Sequence, residues 1–292
     1  MKIYLVHSVT TQSVIARAIT DERTHESRLF KTGSWLQGRL FLLDLCFFKY
    51  RRFALIDENG GFFVSRLKRS ANPTIVRELR EWRGRTIPLE GTHVFDVVGD
   101  LCREHINVEV EVTFKCRVYN ETQSLDSKRF RVVGVRVSDA DDGYRLYITN
   151  LPSSEFTPEQ VSAMYRARWV VELVFRELKL QYGLERFQTE KDHIVRIQVL
   201  VALLTLVVSR AILRVFVDYA AEIGDECVFP AEGWATTFWS YAQQVLSDIV
   251  MEYGYGEPNL AETWYQEARQ PRHSQERLMQ EVNAELYGDL WP

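Results

Sequence analysis

The chain has 292 residues, 46% hydrophobic and 26% charged, with a formal net charge of -4, enough apolar material for one large domain or two ordinary ones. Four cysteines, at 46, 102, 116 and 227, form no CxxC pair, and the six histidines form no HxxxH, so neither a zinc site nor a disulfide scaffold is signalled, and the thiols suit a reducing cytosol. MKIYLVHSVTTQS has an apolar run too short for a signal peptide, and IQVLVALLTLVVS at 197–209, between Arg196 and Arg210, falls short of the roughly 20 residues of a bilayer span and reads as a core helix.

The net charge hides a split. Residues 218–292 carry fourteen acidic and three basic residues, a net of -11, which leaves +7 on residues 1–217. Within that basic part, 46–90 has ten Lys/Arg against five Asp/Glu, and 161–217 has nine against five. A basic body suits a polyanion partner, for which phosphate contacts dominate affinity, or it is a set of ordinary solvated faces.

In chain order, KIYLVHSVTT and SVIARAIT are β-type runs joined by a polar TTQ, a hairpin pattern. DERTHESRLFKTGSWLQG reads as a helix, with Asp21 or Thr24 capping its start and Gly33 or Gly38 its end. RLFLLDLCFF at 39–48 reads as a central strand buried on both faces. In its middle stands Asp44, a carboxylate that would be costly there unless paired or bound to a metal. A short helix in FKYRRFALIDENG and a strand in GFFVSRLKR follow, the strand ending in Arg66, Lys68 and Arg69.

PTIVRELREW then reads as helical, and VEVEVTFKCRVYN, FRVVGVRVS and YRLYITN are β segments separated by turn-rich NETQSLDSK and DADDG, so 70–155 reads as a β-rich insertion. Helix resumes at TPEQVSAMYRARW, where Thr157, with Glu159 and Gln160 behind it, marks the N-terminus. It continues through 165–179. A second long helix spans about 190–217, and the acidic remainder reads as helical and peripheral.

The chemistry concentrates in YRARWVVELVFRELK at 165–179. Helical residues turn about 100° each, so Tyr165, Arg168, Glu172 and Lys179 line one stripe, which Arg176 joins. Val170, Val171, Val174, Phe175 and Leu178 take most of the rest. A narrow polar seam on an otherwise buried helix reverses the usual amphipathic proportions. Asp44 and Glu172 could share a divalent cation, and hard oxygen ligands favour Mg²⁺ or Mn²⁺. Two such ions, held by three or so carboxylates, clamp the oxygens of an in-line phosphoryl displacement. Arg168 and Lys179 would then face phosphates, and Tyr165 would hydrogen-bond or stack. Equally, Glu172 could pair with Arg168 or Arg176 in a buried ionic ladder, with Asp44 as a capped strand end.

YRARWVVELVFRELK resembles, without a gap, the Y-x2-R-x3-E-x6-K signature of DDE transposases of the insertion-sequence-four group. LLDLCFFKYRRFALIDENGGFFVSRLK is similar to that group's block in which a strand-borne Asp precedes a helix and a strand ending in FVSRLK. RFQTEKDHIVRIQVLVALLTLVVSR resembles the helix after the signature, so the similarity covers most of 1–217. The resemblance implies an α/β fold: a ribonuclease-H-like mixed sheet flanked by helices, interrupted by a β-rich insertion, with a helical C-terminal region. The expected divisions are 1–69 and 156–217 for the catalytic core, 70–155 for the insertion and 218–292 for the acidic helical region.

Carried over by residue, the resemblance implies that Asp44 is the second catalytic acid and Glu172 the third, both binding metal, with two Mg²⁺ or Mn²⁺ ions in a complete site. Tyr165, Arg168 and Lys179 would contact or position DNA, and Arg66 and Lys68 would contact phosphates. The implied activity is cut-and-paste transposition, by strand cleavage and transfer at insertion-sequence ends. The implied partners are those ends and target DNA, with a homodimer acting on DNA in the cytoplasm, near the nucleoid, and no membrane. In the family the first catalytic Asp lies on a strand preceding the hairpin, whereas here the chain begins at Met1. Asp21 reads as a helix cap and Asp57 as a turn residue in DENGG. The expectation is a transposase lacking its N-terminal part and first acid, and weak or inactive in catalysis. The alternative is a non-catalytic DNA-binding fragment that inhibits or modulates transposition.

Overall fold

The computed structural model describes residues 2–271 apart from 12, 21–22, 24–27, 80, 83–84, 87–88, 102, 117–122, 139, 141–142, 188, 251–263 and 267. In chain order the elements are β1 (Lys2–Ser8), β2 (Ser13–Thr20), β3 (Leu40–Leu43), α1 (Tyr50–Glu58), β4 (Phe62–Arg66), β5 (Thr74–Glu78), β6 (Glu81–Trp82), β7 (Arg85–Thr86) and α2 (Val94–Val97). There follow β8 (His105–Lys115), β9 (Leu125–Arg136), β10 (Tyr144–Thr149), α3 (Pro158–Arg166), α4 (Trp169–Leu180), α5 (Asp192–Glu222), β11 (Cys227–Val228), α6 (Ala231–Val250) and β12 (Gln270–Pro271). The backbone divides into two units, Asp21–Arg168 and Met1–Thr20 with Trp169–Pro292.

The Asp21–Arg168 unit is built on a six-stranded mixed sheet in the order β3-β4-β10-β9-β8-β5. β3 and β4 are parallel and the other neighbours antiparallel. The strands of the β-rich stretch thus continue the sheet that β3 and β4 begin. In β10, Leu146 and Ile148 join the cluster that holds Phe53 and Ile56 of α1, and Phe53 stacks on Phe63 with ring centroids 4.4 Å apart. Tyr147, between them in a strand of period two, turns to the other face and meets Tyr165 of α3. The protein is therefore mixed α/β, with helices flanking a mixed sheet, the ribonuclease-H-like class expected from the sequence.

The alternations VEVEV and FRVVGVRV do form the paired strands β8 and β9, and Thr157 caps α3 in a reciprocal box with Gln160. Three expectations fail, and a fourth falls in part outside the described residues. PTIVRELREW is not helical: Thr74–Glu78 pairs with β8 and buries Ile75 and Glu78, because β-branched residues beside an open strand edge gain more from the ladder than from a helix. Within 21–38 the described residues form no α-helix, and Gly33 precedes only the short turn Ser34–Leu36; the Asp21 and Thr24 caps lie outside the described residues.

The strand expected at 39–48 covers only Leu40–Leu43 and buries alternate residues, since β3 has one strand partner among the described residues. Nor do 158–179 form one helix. The N–H groups of Ala167 and Arg168 bond back three residues, to Met164 and Tyr165, at 3.1 and 3.0 Å. That tightening ends α3 before α4 begins.

In the other unit, β1 and β2 form an antiparallel hairpin with an irregularity between Val6 and His7. Ile3, Leu5 and Ile19 pack on a core of Val174 and Leu178 from α4 and Val199, Leu203 and Leu206 from α5. A second core gathers Leu213 and Phe216 of α5 with Trp234 and Phe238 of α6 and with Trp264 and Tyr265. The acidic region expected to be peripheral therefore contributes a core of its own, in which Trp234 and Trp264 stack 5.6 Å apart. α5, at 31 residues, is long and apolar enough to cross a bilayer by length and composition, and it buries one face in these two cores.

Candidate active site at the β3–β4 strand ends

The parallel register places Leu43 opposite Ser65, so Asp44 and Arg66 leave the sheet at the same end. Across β4, Arg66 pairs with Tyr147 of β10. Asp44 is extended (φ -69°, ψ 159°), and its carbonyl accepts from the Phe47 N–H at 2.9 Å, which opens the turn Leu45–Phe47. Its carboxylate does not cap that turn, and the side chain is 50% exposed. The buried, doubly covered Asp44 expected from the sequence is thus corrected to a strand-end carboxylate facing water, because the strand stops one residue before it.

Around Asp44 the end of α3 supplies two groups. The Arg168 guanidinium lies 3.9 Å from the Asp44 carboxylate and 5.8 Å over the Tyr165 ring. Tyr165 is buried, donates its O–H to the Leu43 carbonyl at 3.4 Å, and tilts against Tyr147 at 5.1 Å. Burial pushes its phenol pKa up; Arg168 and Arg66 pull it down and Asp44 adds to the rise, so the phenol stays a neutral donor. With its ring covered, Tyr165 is a pillar under Arg168 and not a stacking platform.

Arg66 is exposed, and so is Lys68, which precedes the turn Arg69–Ala71. Asp44, Arg66, Tyr165 and Arg168 thus gather in one unit. Two guanidiniums at a strand end can hold a phosphodiester by charge-assisted hydrogen bonds, while the carboxylate beside them offers its oxygens to a cation.

Glu172 and Lys179 lie on α4 in the other unit, seven residues apart and so on one face. Glu172 is half-buried, and Lys179 and Arg176 are exposed. The carboxylate that α4 buries is instead Glu177, which is ion-paired to Arg210 of α5. Burial pushes its pKa up while Arg210 opposes the rise. Beside it, the Tyr182 hydroxyl donates to Ser209 at 2.8 Å, and the Trp234 indole donates to the same oxygen at 2.7 Å.

Sequence reasoning missed Tyr147, which period two beside Leu146 and Ile148 could have set apart. It missed Glu177 as well, although its place three residues after Val174 and one before Leu178 is a core position.

As for a metal, Asp44 offers one hard oxygen ligand beside a guanidinium. Among the described residues no group of three or more His, Cys, Asp or Glu gathers as a metal-holding set. The residues placed within either unit do not by themselves fit a two-ion centre.

Residues 1–208 match the family described as Transposase DDE domain. The chain is similar to the "Putative transposase y4zB" of Sinorhizobium fredii (strain NBRC 101917 / NGR234), 24% identical over 215 residues, which is 73% of this chain and 54% of that protein. It is similar to the transposase for insertion sequence element IS421 of Escherichia coli, 29% identical over 96 residues, 33% of this chain and 26% of that protein. To the transposase for insertion sequence element IS231E of Bacillus thuringiensis subsp. finitimus it is 22% identical over 177 residues, 53% of this chain and 37% of that protein. The chain spans about half the length of these relatives, or less. With 208 of its 292 residues inside the matched region, this chain belongs to the transposase DDE domain family.

Proposed function

We propose that this chain is the DNA-engaging core of a transposase of the insertion-sequence-four group, acting on insertion-sequence ends and target DNA as a homodimer in the cytoplasm. The observation that carries the reading is the gathering of Asp44, Arg66, Tyr165 and Arg168 at one strand end, in a chain of the transposase DDE domain family. Arg66, Lys68, Arg168 and Lys179 grip phosphates, and Tyr165 positions Arg168. Asp44 and Glu172 are the acids, and DDE chemistry in general draws on a divalent ion, for which Mg²⁺ or Mn²⁺ suits carboxylate oxygens. The proposed divisions remain a core of 1–69 and 156–217, an insertion of 70–155 and a C-terminal region of 218–292.

The test is binding of labelled DNA carrying insertion-sequence ends, titrated over a range of salt concentrations. Each of Arg66→Ala and Arg168→Ala is expected to weaken binding and to lower the slope of log affinity against log salt by about one unit. Wild-type binding without salt dependence, or unchanged slopes in both variants, would refute it.

A second reading, a non-catalytic DNA-binding protein that modulates transposition, draws support from the acid set. Beside Asp44 stands the Arg168 guanidinium, 3.9 Å away, where a two-ion clamp would gather further carboxylates. Strand cleavage by the purified chain in Mn²⁺ that is lost in Glu172→Ala would rule this reading out. Salt-sensitive binding without cleavage would support it.

A further inference from the structure

α5 carries two apolar faces. One, which includes Val199, Leu203, Leu206 and Phe216, is buried in the two cores of its unit. On the opposite side Ile197, Val201, Leu204, Val208, Ala211 and Val215 are all exposed, Leu204 and Val215 each at 63%. A surface helix of a globular protein ordinarily has one apolar stripe and a polar remainder, so the second stripe calls for a partner. Its intervals are four, three, four, three and four residues, the 3.5-residue period that keeps a seam facing another helix along its whole length.

Three observations select a second copy of this chain as that partner. First, the seam is self-complementary: Val201, Val208 and Val215 fill one set of its positions and Ile197, Leu204 and Ala211 the other, and β-branched residues facing a set that includes Leu pack well in two-stranded helical contacts. Second, the area suffices. With Leu200 and Val207 beside the seam, the exposed large side chains amount to roughly 600 Å² of apolar surface, close to the ~800 Å² that each partner contributes to a standard interface. Third, no position of the seam itself from 197 to 215 carries a charge. Arg196 lies off it and is paired with Asp192 at 2.6 Å, Arg210 is paired with Glu177, and Arg214, on the flanking row of Leu200 and Val207, lies 3.9 Å from Asp218.

We propose that this exposed face of α5 is a dimer interface, occupied by the same face of α5 from a second copy. The inference names the surface behind the proposed homodimer. Its test contains no DNA, so it can fail while the DNA reading stands.

Sedimentation equilibrium of the purified chain, from sub-micromolar to tens of micromolar, is expected to show a monomer passing to a dimer. Leu204→Glu with Val208→Glu is expected to hold the mass at the monomer across that range. The milder Leu204→Gln should raise the dissociation constant at least tenfold. Because these positions are exposed, circular dichroism and the unfolding transition of the variants measured as monomers should match wild type. A wild-type monomer at every concentration would overturn the proposal, as would a dimer untouched by both variants. Wild-type protein that floats with phosphatidylcholine vesicles, while the double variant does not, would also overturn it by making a bilayer the occupant.

Discussion

Replacing Arg210 by Met should destabilise the Met1–Thr20 and Trp169–Pro292 unit sharply, while replacing Arg210 and Glu177 together should not. The Glu177 side chain is 5% exposed and that of Arg210 19%, and the pair ties α4 to α5 beside Val174 and Leu178. Removing one member of a buried pair leaves a desolvated charge and costs about 3–5 kcal/mol, whereas apolar replacement of both is neutral or stabilising. The residual exposure of Arg210 places Arg210→Met near the lower end, about 3 kcal/mol, and Glu177→Leu with Arg210→Met within about 1 kcal/mol of wild type. Tryptophan emission during urea unfolding is a suitable probe, because five of the seven tryptophans lie in this unit. If the single and double variants lose the same free energy, the cost comes from lost packing of the Arg210 stem and the argument from desolvated charge is wrong.

Two further outcomes follow from the same physics. Burial raises the Glu177 pKa in the folded state, with Arg210 only partly opposing it. A carboxyl that keeps its proton to higher pH when folded contributes stability that is fully present below its unfolded pKa and is lost as pH rises through the folded value. On acidification from neutrality toward the ordinary carboxylate range, wild type should therefore gain stability relative to Glu177→Gln; parallel pH profiles would contradict this. In the other unit, a Cβ at Gly134 would come within 2.8 Å of Leu146 and 3.0 Å of Ile106, its neighbours across β9. Gly134→Ala should cost about 1–3 kcal/mol by overpacking, and a change within about 0.5 kcal/mol in chemical unfolding would show that the strands yield.

Where a local signal and the tertiary outcome agree, the sequence is legible. The hairpin Lys2–Thr20, the alternation of His105–Lys115 and the Thr157 capping box each carry their structure in a few adjacent residues. PTIVRELREW carries a helical pattern in its charges and a strand pattern in Ile75 and Val76, and the unsatisfied edge of β8 decides between them. The break between α3 and α4 has no local mark. Tyr165, Arg166 and Ala167 are acceptable helix residues, and Ala167 keeps helical angles (φ -62°, ψ -15°). Only the shift to bonds three residues back ends the helix, at the point where Tyr165 packs against Tyr147.

The carboxylates show why an apolar neighbourhood in sequence is a poor guide to burial. Asp44 sits between LFLL and LCFF, yet the strand ends at Leu43 and leaves its side chain half in water. Glu177 sits in FRELK, which looks polar, yet helical periodicity turns it inward with Val174 and Leu178. Burial is set by where an element stops and which way it faces. Cost and chemistry separate accordingly. The expensive carboxylate is neutralised by Arg210 and holds two helices together. The cheap one, beside Arg66 and Arg168 at a strand end, keeps oxygens open toward solvent, where a ligand can reach them. A carboxylate meant to meet an incoming cation cannot also be sealed in a core, so Asp44 is the stronger candidate for chemistry because its exposure leaves it accessible.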